Sequence, residues 1–184
     1  METMPVYVYV ILAVGWLLWF TPFFRKWNMS ETRTRDRRSR WGLLLQVVAY
    51  VLLWLGRFWL NHPALWRVVL AAVLMAVAAL LSWTATKALG KQLRFVAAVG
   101  DDHELIRTGP YAVIRHPIYA SMLAVFLGTG VVLTPTVLLL PATVLFLIGT
   151  EIRVRTEDHL LASHFGVQFD AYRQSVPAYI PLIR

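Results

Sequence analysis

Cysteine is absent from this 184-residue chain, which excludes a disulfide framework and any thiolate metal site. Charge is scarce: Asp, Glu, Lys and Arg make up 15% of residues, against 58% hydrophobic ones. A mean hydropathy of +0.59 is too apolar for a water-soluble chain of this length. Acidic side chains are scarcest, ten against eighteen basic ones, which leaves a formal charge of +8. Such an excess can mark a nucleic-acid binder, but the placement of the charges argues against a nucleic-acid partner. No repeat or low-complexity tract occurs. A short GxG, Gly128-Thr129-Gly130, follows no strand and is no dinucleotide fingerprint. Close packing of helices through small residues is its expected use.

What the chain does have is long apolar runs. A helix needs about 20 apolar residues to cross a bilayer core. Pro5–Phe24, Trp41–Leu60 and Ala64–Trp83 meet that length, and Arg57 and Arg67 sit near the end of their runs where long side chains snorkel to headgroups. Ile118–Leu133 and Thr136–Thr150 are shorter and are joined by Thr134-Pro135, which reads as a tight helical hairpin. The first run has no basic stretch before it and no convincing cleavage site, so a membrane helix is expected rather than a signal peptide. The fold class is therefore an all-α integral membrane protein with five transmembrane helices, the last two a hairpin, plus a C-terminal helical region. Residues 1–83 form an N-terminal three-helix region with a basic loop, and residues 84–184 the region that carries the chemistry.

Sixteen of the eighteen basic residues fall in three stretches: seven between Phe24 and Trp41, five between Thr84 and Pro117, and four after Thr150. In a five-helix topology all three lie on one side, which the positive-inside bias makes cytosolic. The N-terminus is then outside, and the C-terminus and the polar clusters are cytosolic. "RTRDRRSR" at 33–40 is mainly this topology signal, with contact to anionic lipid heads a secondary use. The sequon "NMS" at 28–30 lies on the same cytosolic side, away from glycosylation.

Polar residues gather in two stretches on that side. In "GPYAVIRHPIYAS" (109–121) proline favours the first helical turn and the residue before it is pushed out of helix, so His116-Pro117 marks a helix start. The N–H groups of Ile118, Tyr119 and Ala120 would then face the interface, where an anion is favoured, with Arg115, His116 and Tyr119 around it. An ordinary interfacial belt of Tyr, Arg and His explains the same residues. The second stretch opens "EIRVRTEDHLLASHF" (151–165), where Arg153 and Glu157 lie four apart on one helical face. That spacing reads either as a surface ion pair or as a cation and a carboxylate held at the depth of His116. Gly166 is expected to end this helix, and "QFDAYRQSV" to form a short one after it. Pro141 is expected to adjust the fifth helix. His159 and His164, five apart, share no face, and no metal site is expected.

"HELIRTGPYAVIRHPIYAS" (103–121) followed by "RVRTEDHLLASHFGVQFDAYRQSVPAYIP" (153–181) resembles the isoprenylcysteine carboxyl methyltransferase family, with related patterns in membrane phospholipid methyltransferases. The likeness runs from about Leu89 to Pro181. It implies S-adenosyl-L-methionine as cofactor, bound without a Rossmann fold. Its cofactor contacts fall on His103, Glu104, Leu105 and Ile106, then Tyr111, then His116, Pro117, Ile118 and Tyr119, and on Glu157 of the acidic pair Glu157-Asp158. Arg153 matches the position that meets the polar end of the substrate. The chain departs from the family pattern in Ser121, where Gly is common, and in Asp158, where a second Glu is usual. A Gln that eukaryotic members place before the first contact stretch has no counterpart around Val96–Ala98.

Methyl transfer from a sulfonium is an in-line displacement in which alignment supplies much of the acceleration, so no catalytic residue is assigned. A carboxylate acceptor needs no general base, whereas an amine must lose a proton. His116 and Glu157 are the available bases and are already claimed by the cofactor reading. The resemblance thus points to an integral membrane methyltransferase acting on a hydrophobic or lipid-linked acceptor among membrane lipids, with carboxyl O-methylation of a prenylcysteine-like group first. Amine methylation of a phospholipid, or of a small molecule, is the alternative. A sterol-reductase-like NADPH enzyme and a non-catalytic membrane protein remain open beyond it.

Overall fold

A computed structural model of the chain describes residues 3–24, 39–56, 62–90 and 104–179. The described residues form six α-helices and one short 3-10 turn: α1 (Val6–Phe24), α2 (Ser39–Trp54), α3 (Leu65–Leu89), the turn Gly109–Ala112, α4 (Pro117–Leu133), α5 (Thr136–Phe165) and α6 (Val167–Ser175). Three of them, α1, α3 and α5, are long and apolar enough to cross a membrane, while α2 and α4 are shorter apolar helices of 16 and 17 residues. The described residues are thus all-helical, with helices of membrane-spanning length and hydropathy. Within the second expected run, Trp41–Leu60, α2 ends at Trp54 and the chain bends at Leu55-Gly56, beyond which residues 57–60 lie outside the described residues. Arg57, the basic residues from 25 to 38, the sequon, His103 and the 96–98 stretch lie outside the described residues.

The outer helices α1, α2 and α3 each bury one stripe and turn their other apolar faces outward, while α4 is buried or half-buried all round. On α1 the stripe is Val8, Leu12, Gly15, Trp19 and Phe23; on α2 it is Gly42, Gln46, Ala49 and Leu53. Steps of three and four residues are the spacing of one helical face. Residues such as Val10, Leu17, Leu44, Val69 and Leu80 remain exposed, as lipid-facing positions do. The helices pack as α1 on α3, α3 on α4, and α2 on α5. Because lipid tails are as apolar as leucine, such contacts depend on close approach and interhelical hydrogen bonds. Both occur here. Gly128 lies against Leu74 and the Ala71 carbonyl, and Gly130 against Leu139 and Leu53. Trp16 Nε1 donates to Thr129 Oγ1 at 3.1 Å and Trp19 Nε1 to Ser121 Oγ at 3.0 Å, tying α1 to α4.

The turn between α4 and α5 is the tight Thr134-Pro135 link expected. Its polar groups are satisfied inside the protein: Thr134 Oγ1 donates to the Leu53 carbonyl at 2.9 Å and Arg67 Nη2 to Thr136 Oγ1 at 3.1 Å. Arg67 therefore braces the hairpin tip in addition to any contact with headgroups. From that tip α5 runs back past the start of α4, continuing through Pro141 as one helix. Beyond Thr150 it becomes polar, and it stops at Gly166, whose φ of 52° is the left-handed conformation that glycine tolerates at a helix end.

The α2–α5 contact sets backbone directly against backbone. A Cβ built on Gly149 would lie 2.6 Å from the Gly42 carbonyl oxygen and 3.1 Å from Gln46 Cγ. Gly149→Ala is therefore expected to destabilise the bundle by about 1–3 kcal/mol, the usual cost of overpacking. Thermal unfolding in detergent checks this; an unchanged Tm would refute the glycine-dependent contact.

Candidate functional site at the polar end of the hairpin

The first turn of α4 and the polar part of α5 meet at the end of the bundle opposite the hairpin tip. Pro117 occupies the first helical position and His116 the cap, but His116 makes no capping hydrogen bond with its side chain. Its ring is turned toward α5 instead. There Nε2 lies 2.8 Å from Asp158 Oδ1 and Nδ1 lies 3.7 Å from Glu157 Oε2. Arg115 Nη2 meets the other Asp158 oxygen at 2.9 Å. The side chains of Arg115 and His116 are both 4% exposed and that of Asp158 is 13% exposed, whereas Glu157 is 37% exposed. Asp158 is thus the anchored carboxylate and Glu157 the accessible one.

Burial opposes ionisation of Asp158, but the hydrogen bond from His116 and the charge of Arg115 outweigh it and hold the carboxyl below its ordinary range. An ionised carboxylate only accepts, so His116 Nε2 must be the donor in this contact. Both ring nitrogens of His116 therefore face carboxylates.

The C-terminal segment closes over this pair. The backbone N–H groups of Arg115 and His116 donate to the carbonyls of Pro177 and Ala178 at 2.9 and 2.8 Å. Arg115 Nη1 also donates to the carbonyls of Arg173 (3.1 Å) and Val176. Tyr172 OH donates to the Tyr111 carbonyl at 2.6 Å, with its phenol pushed up to about 12 by burial, so that it stays a donor. Ala178 and Val154 pack on Tyr119. Burial, with the Glu157 charge beside it, also raises the Tyr111 phenol well above its usual value.

Arg153 does not pair with Glu157, the ion pair that the i,i+4 spacing allowed. Its guanidinium lies 5.0 Å over the Tyr119 ring, and Nη1 donates to Gln46 Oε1 on α2 at 2.9 Å. Tyr119 is the shared element, since both Glu157 and Arg153 act on its hydroxyl. Of the other expected site residues, Tyr111, Pro117 and Ile118 sit in or beside this cluster. Pro117 is buried, and Ile118 is half-buried and packed toward the α1–α3 core. Leu105 and Ile106 are half-buried and Glu104 is exposed in the extended segment before the 3-10 turn; none of the three makes a side-chain bond to the cluster. His103 falls outside the described residues. The N–H of Ala120 is taken by the His116 carbonyl at 3.2 Å, so it is not one of the groups open to an anion.

Three contributors escaped the sequence reading: Asp158 as the anchor, Gln46, and the 176–178 carbonyls. Asp158 was visible as half of an acidic pair. Gln46 was also detectable, as the single amide on the buried stripe of an otherwise apolar helix. Backbone carbonyls leave no signal in side-chain patterns.

The model of the phospholipid methyltransferase family matches residues 66–168. The chain is 30% identical over 151 residues to the nickel-cobalt-cadmium resistance protein NccN of Alcaligenes xylosoxydans xylosoxydans, an alignment that takes in 80% of this chain and 66% of that protein. It is 41% identical over 83 residues to the protein-S-isoprenylcysteine O-methyltransferase of Schizosaccharomyces pombe, covering 45% of this chain and 35% of the other. A solved structure of a eukaryotic intramembrane Ras methyltransferase, isoprenylcysteine carboxyl methyltransferase, has the same fold, with a TM-score of 0.60 at 19% identity over 95% of this chain and 63% of that one. The chain spans just under two thirds of the first relative's length and about a third of the second's.

Removing the anchor leaves the buried Arg115 guanidinium and the His116 Nε2–H short of a partner. Asp158→Asn should cost about 3 kcal/mol, the lower end for a broken buried pair, because Arg115 keeps its carbonyl acceptors. Since the folded-state pKa of Asp158 is depressed, its contribution is complete above the unfolded carboxylate value of about 4. It fades as pH falls through the lower folded value. Acid unfolding of the wild type should therefore show a slope below about pH 4 that D158N lacks, and identical acid limbs would refute the anchor.

Proposed function

The chain belongs to the phospholipid methyltransferase family, and from that premise we propose that it is an integral membrane methyltransferase using S-adenosyl-L-methionine, with carboxyl O-methylation of a prenylcysteine-like or other lipid-linked acceptor as its reaction. The observation that carries this reading is the division of labour in the acidic pair. Asp158 is consumed by Arg115 and His116, which leaves the partly exposed Glu157, beside Tyr119 and His116, as the accessible carboxylate of the pair.

The donor set suits such a cofactor. Its ammonium and ribose hydroxyls call for an accessible carboxylate, which Glu157 supplies. Its own carboxylate suits the uncapped start of α4, where first-turn N–H groups lack intrahelical acceptors. Tyr111, His116, Pro117, Ile118 and Tyr119 form the wall on the α4 side, and His103, Glu104, Leu105 and Ile106 belong to the segment leading into it. When bound, the cofactor supplies an electrophilic methyl group on a sulfonium. Arg153, held over the Tyr119 ring, then orients the polar end of the acceptor. His116 is already committed, with Nε2 bonded to Asp158 and Nδ1 beside Glu157. This favours an acceptor that arrives already deprotonated, such as a carboxylate, over the amine of a phospholipid headgroup.

In this reading five helices cross the membrane, with the N-terminus outside and the C-terminus and site cytosolic. The basic stretches flanking α2, α4 and the C-terminus support that orientation. Residues 84–184 carry the cofactor contacts and Arg153, on the scaffold of residues 1–83. A water-soluble cofactor enters from the cytosol, while a lipid-tailed acceptor arrives laterally within the bilayer.

Glu157→Ala is expected to abolish binding of S-adenosylhomocysteine in calorimetry while the protein still folds; retained affinity would sink the cofactor assignment. Arg153→Ala should keep that affinity and lose methyl transfer to an N-acyl S-prenylcysteine. Undiminished transfer would remove Arg153 from the acceptor site.

A further inference from the structure

Gln46 is 2% exposed on α2, outside residues 66–168, and its amide is wired at both ends. Gln46 Nε2 donates to Thr150 Oγ1 at 2.9 Å, and Arg153 Nη1 donates to Gln46 Oε1 at 2.9 Å. The direction of the chain is fixed by its far end. Thr150 gives its hydroxyl proton to the Phe146 carbonyl at 2.9 Å, so its oxygen can only accept from Gln46. The Gln46 amide must then present its carbonyl to Arg153. The glycine pair brings the two helices close enough for this: a Cβ on Gly42 would lie 2.5 Å from the Gly149 carbonyl oxygen and 2.6 Å from Arg153 Cγ.

The chemistry of the partner matters as much as its position. A carboxylate there would pair with Arg153 and cancel its charge. A neutral amide oxygen fixes one Nη and leaves the charge uncompensated. Arg153 Nε, also buried, has no partner at all. Glu157, the nearest acid on the same face, acts on Tyr119 rather than on the guanidinium as an ion pair. Arg153 is thus held in place by groups that do not neutralise it: Gln46, and the Tyr119 ring at 5.0 Å.

We propose that Gln46 is a positioning residue contributed by the N-terminal helices, which aims Arg153 and keeps its charge available for an anionic group on the methyl acceptor. This rests on the acceptor role given to Arg153 above. It makes α2 part of the specificity apparatus and predicts selection for acceptors that carry a negative charge.

The test compares binding of an N-acyl S-prenylcysteine and of its methyl ester to the full chain in nanodiscs of zwitterionic lipid. Wild type should bind the acid at least tenfold more tightly than the ester. Gln46→Glu should bring the two affinities together by neutralising Arg153. Gln46→Met, which keeps the volume and loses the acceptor, should weaken the acid by about tenfold and leave the ester nearly unchanged, the scale of one hydrogen bond to a charged group. Thr150→Val should act in the same direction as Gln46→Met and add little to it, because both break one relay. Affinity for S-adenosylhomocysteine should stay constant throughout. Acid and ester affinities that fall together in Gln46→Met, or an acid preference that persists in Gln46→Glu and Gln46→Met, would overturn the role of Gln46 and leave the acceptor site intact. Wild type that binds neither compound, or binds both equally, would overturn the acceptor reading with it.

Discussion

At the polar end of the hairpin one carboxylate is shared by a guanidinium and an imidazole, and much else is arranged around that fact. Asp158 meets Arg115 through one oxygen and His116 through the other. All three are largely withdrawn from water, where an unpaired charge would be costly. The contact joins the start of α4 to α5 about six turns after the two part company at Pro135. It therefore sets how far the hairpin can open. It also commits His116, fixes its ring orientation, and turns Arg115 toward the carbonyls of the C-terminal segment, which in turn covers Tyr119.

With Asp158 spent on structure, its neighbour is left for chemistry. Adjacent residues on a helix point about 100° apart. An acidic pair thus places one carboxylate inward and one on the rim, and these two are 13% and 37% exposed. The replacement of the usual second Glu by Asp is compatible with this arrangement, because Arg115 and His116 come close enough for the shorter side chain to reach both. The membrane imposes a second constraint. Polar groups within apolar helices must be satisfied inside the protein, and the Thr150–Gln46–Arg153 relay, the Trp–Ser and Trp–Thr bonds and the Arg67 brace all meet that demand.

Much of the architecture was legible in the residues. The apolar runs, the hairpin at Thr134-Pro135, the helix start at Pro117, the continuation of α5 beyond Thr150 and its end at Gly166 follow from hydropathy and from proline and glycine chemistry. The second run was read too long at its C-terminal end, because apolar composition continues past the bend at Leu55-Gly56 and hydropathy is blind to backbone direction. Arg153 and Glu157 were read as neighbours from their spacing, and they are neighbours. Spacing could not tell that Tyr119 and Gln46, from two other helices, would take the place of a direct ion pair.

The sequence by itself determined which segments are helical and where most of them start and stop, since these depend on apolar run length and on proline and glycine chemistry. It also marked His116, Arg153 and the acidic pair as the groups to watch. Which acid anchors and which is free, and which partner Arg153 takes, were decided only by tertiary structure. Those choices turn on distances of about 3 Å between residues 42 to 107 positions apart, and such distances exist only once glycine contacts and the hairpin have set the helices against one another.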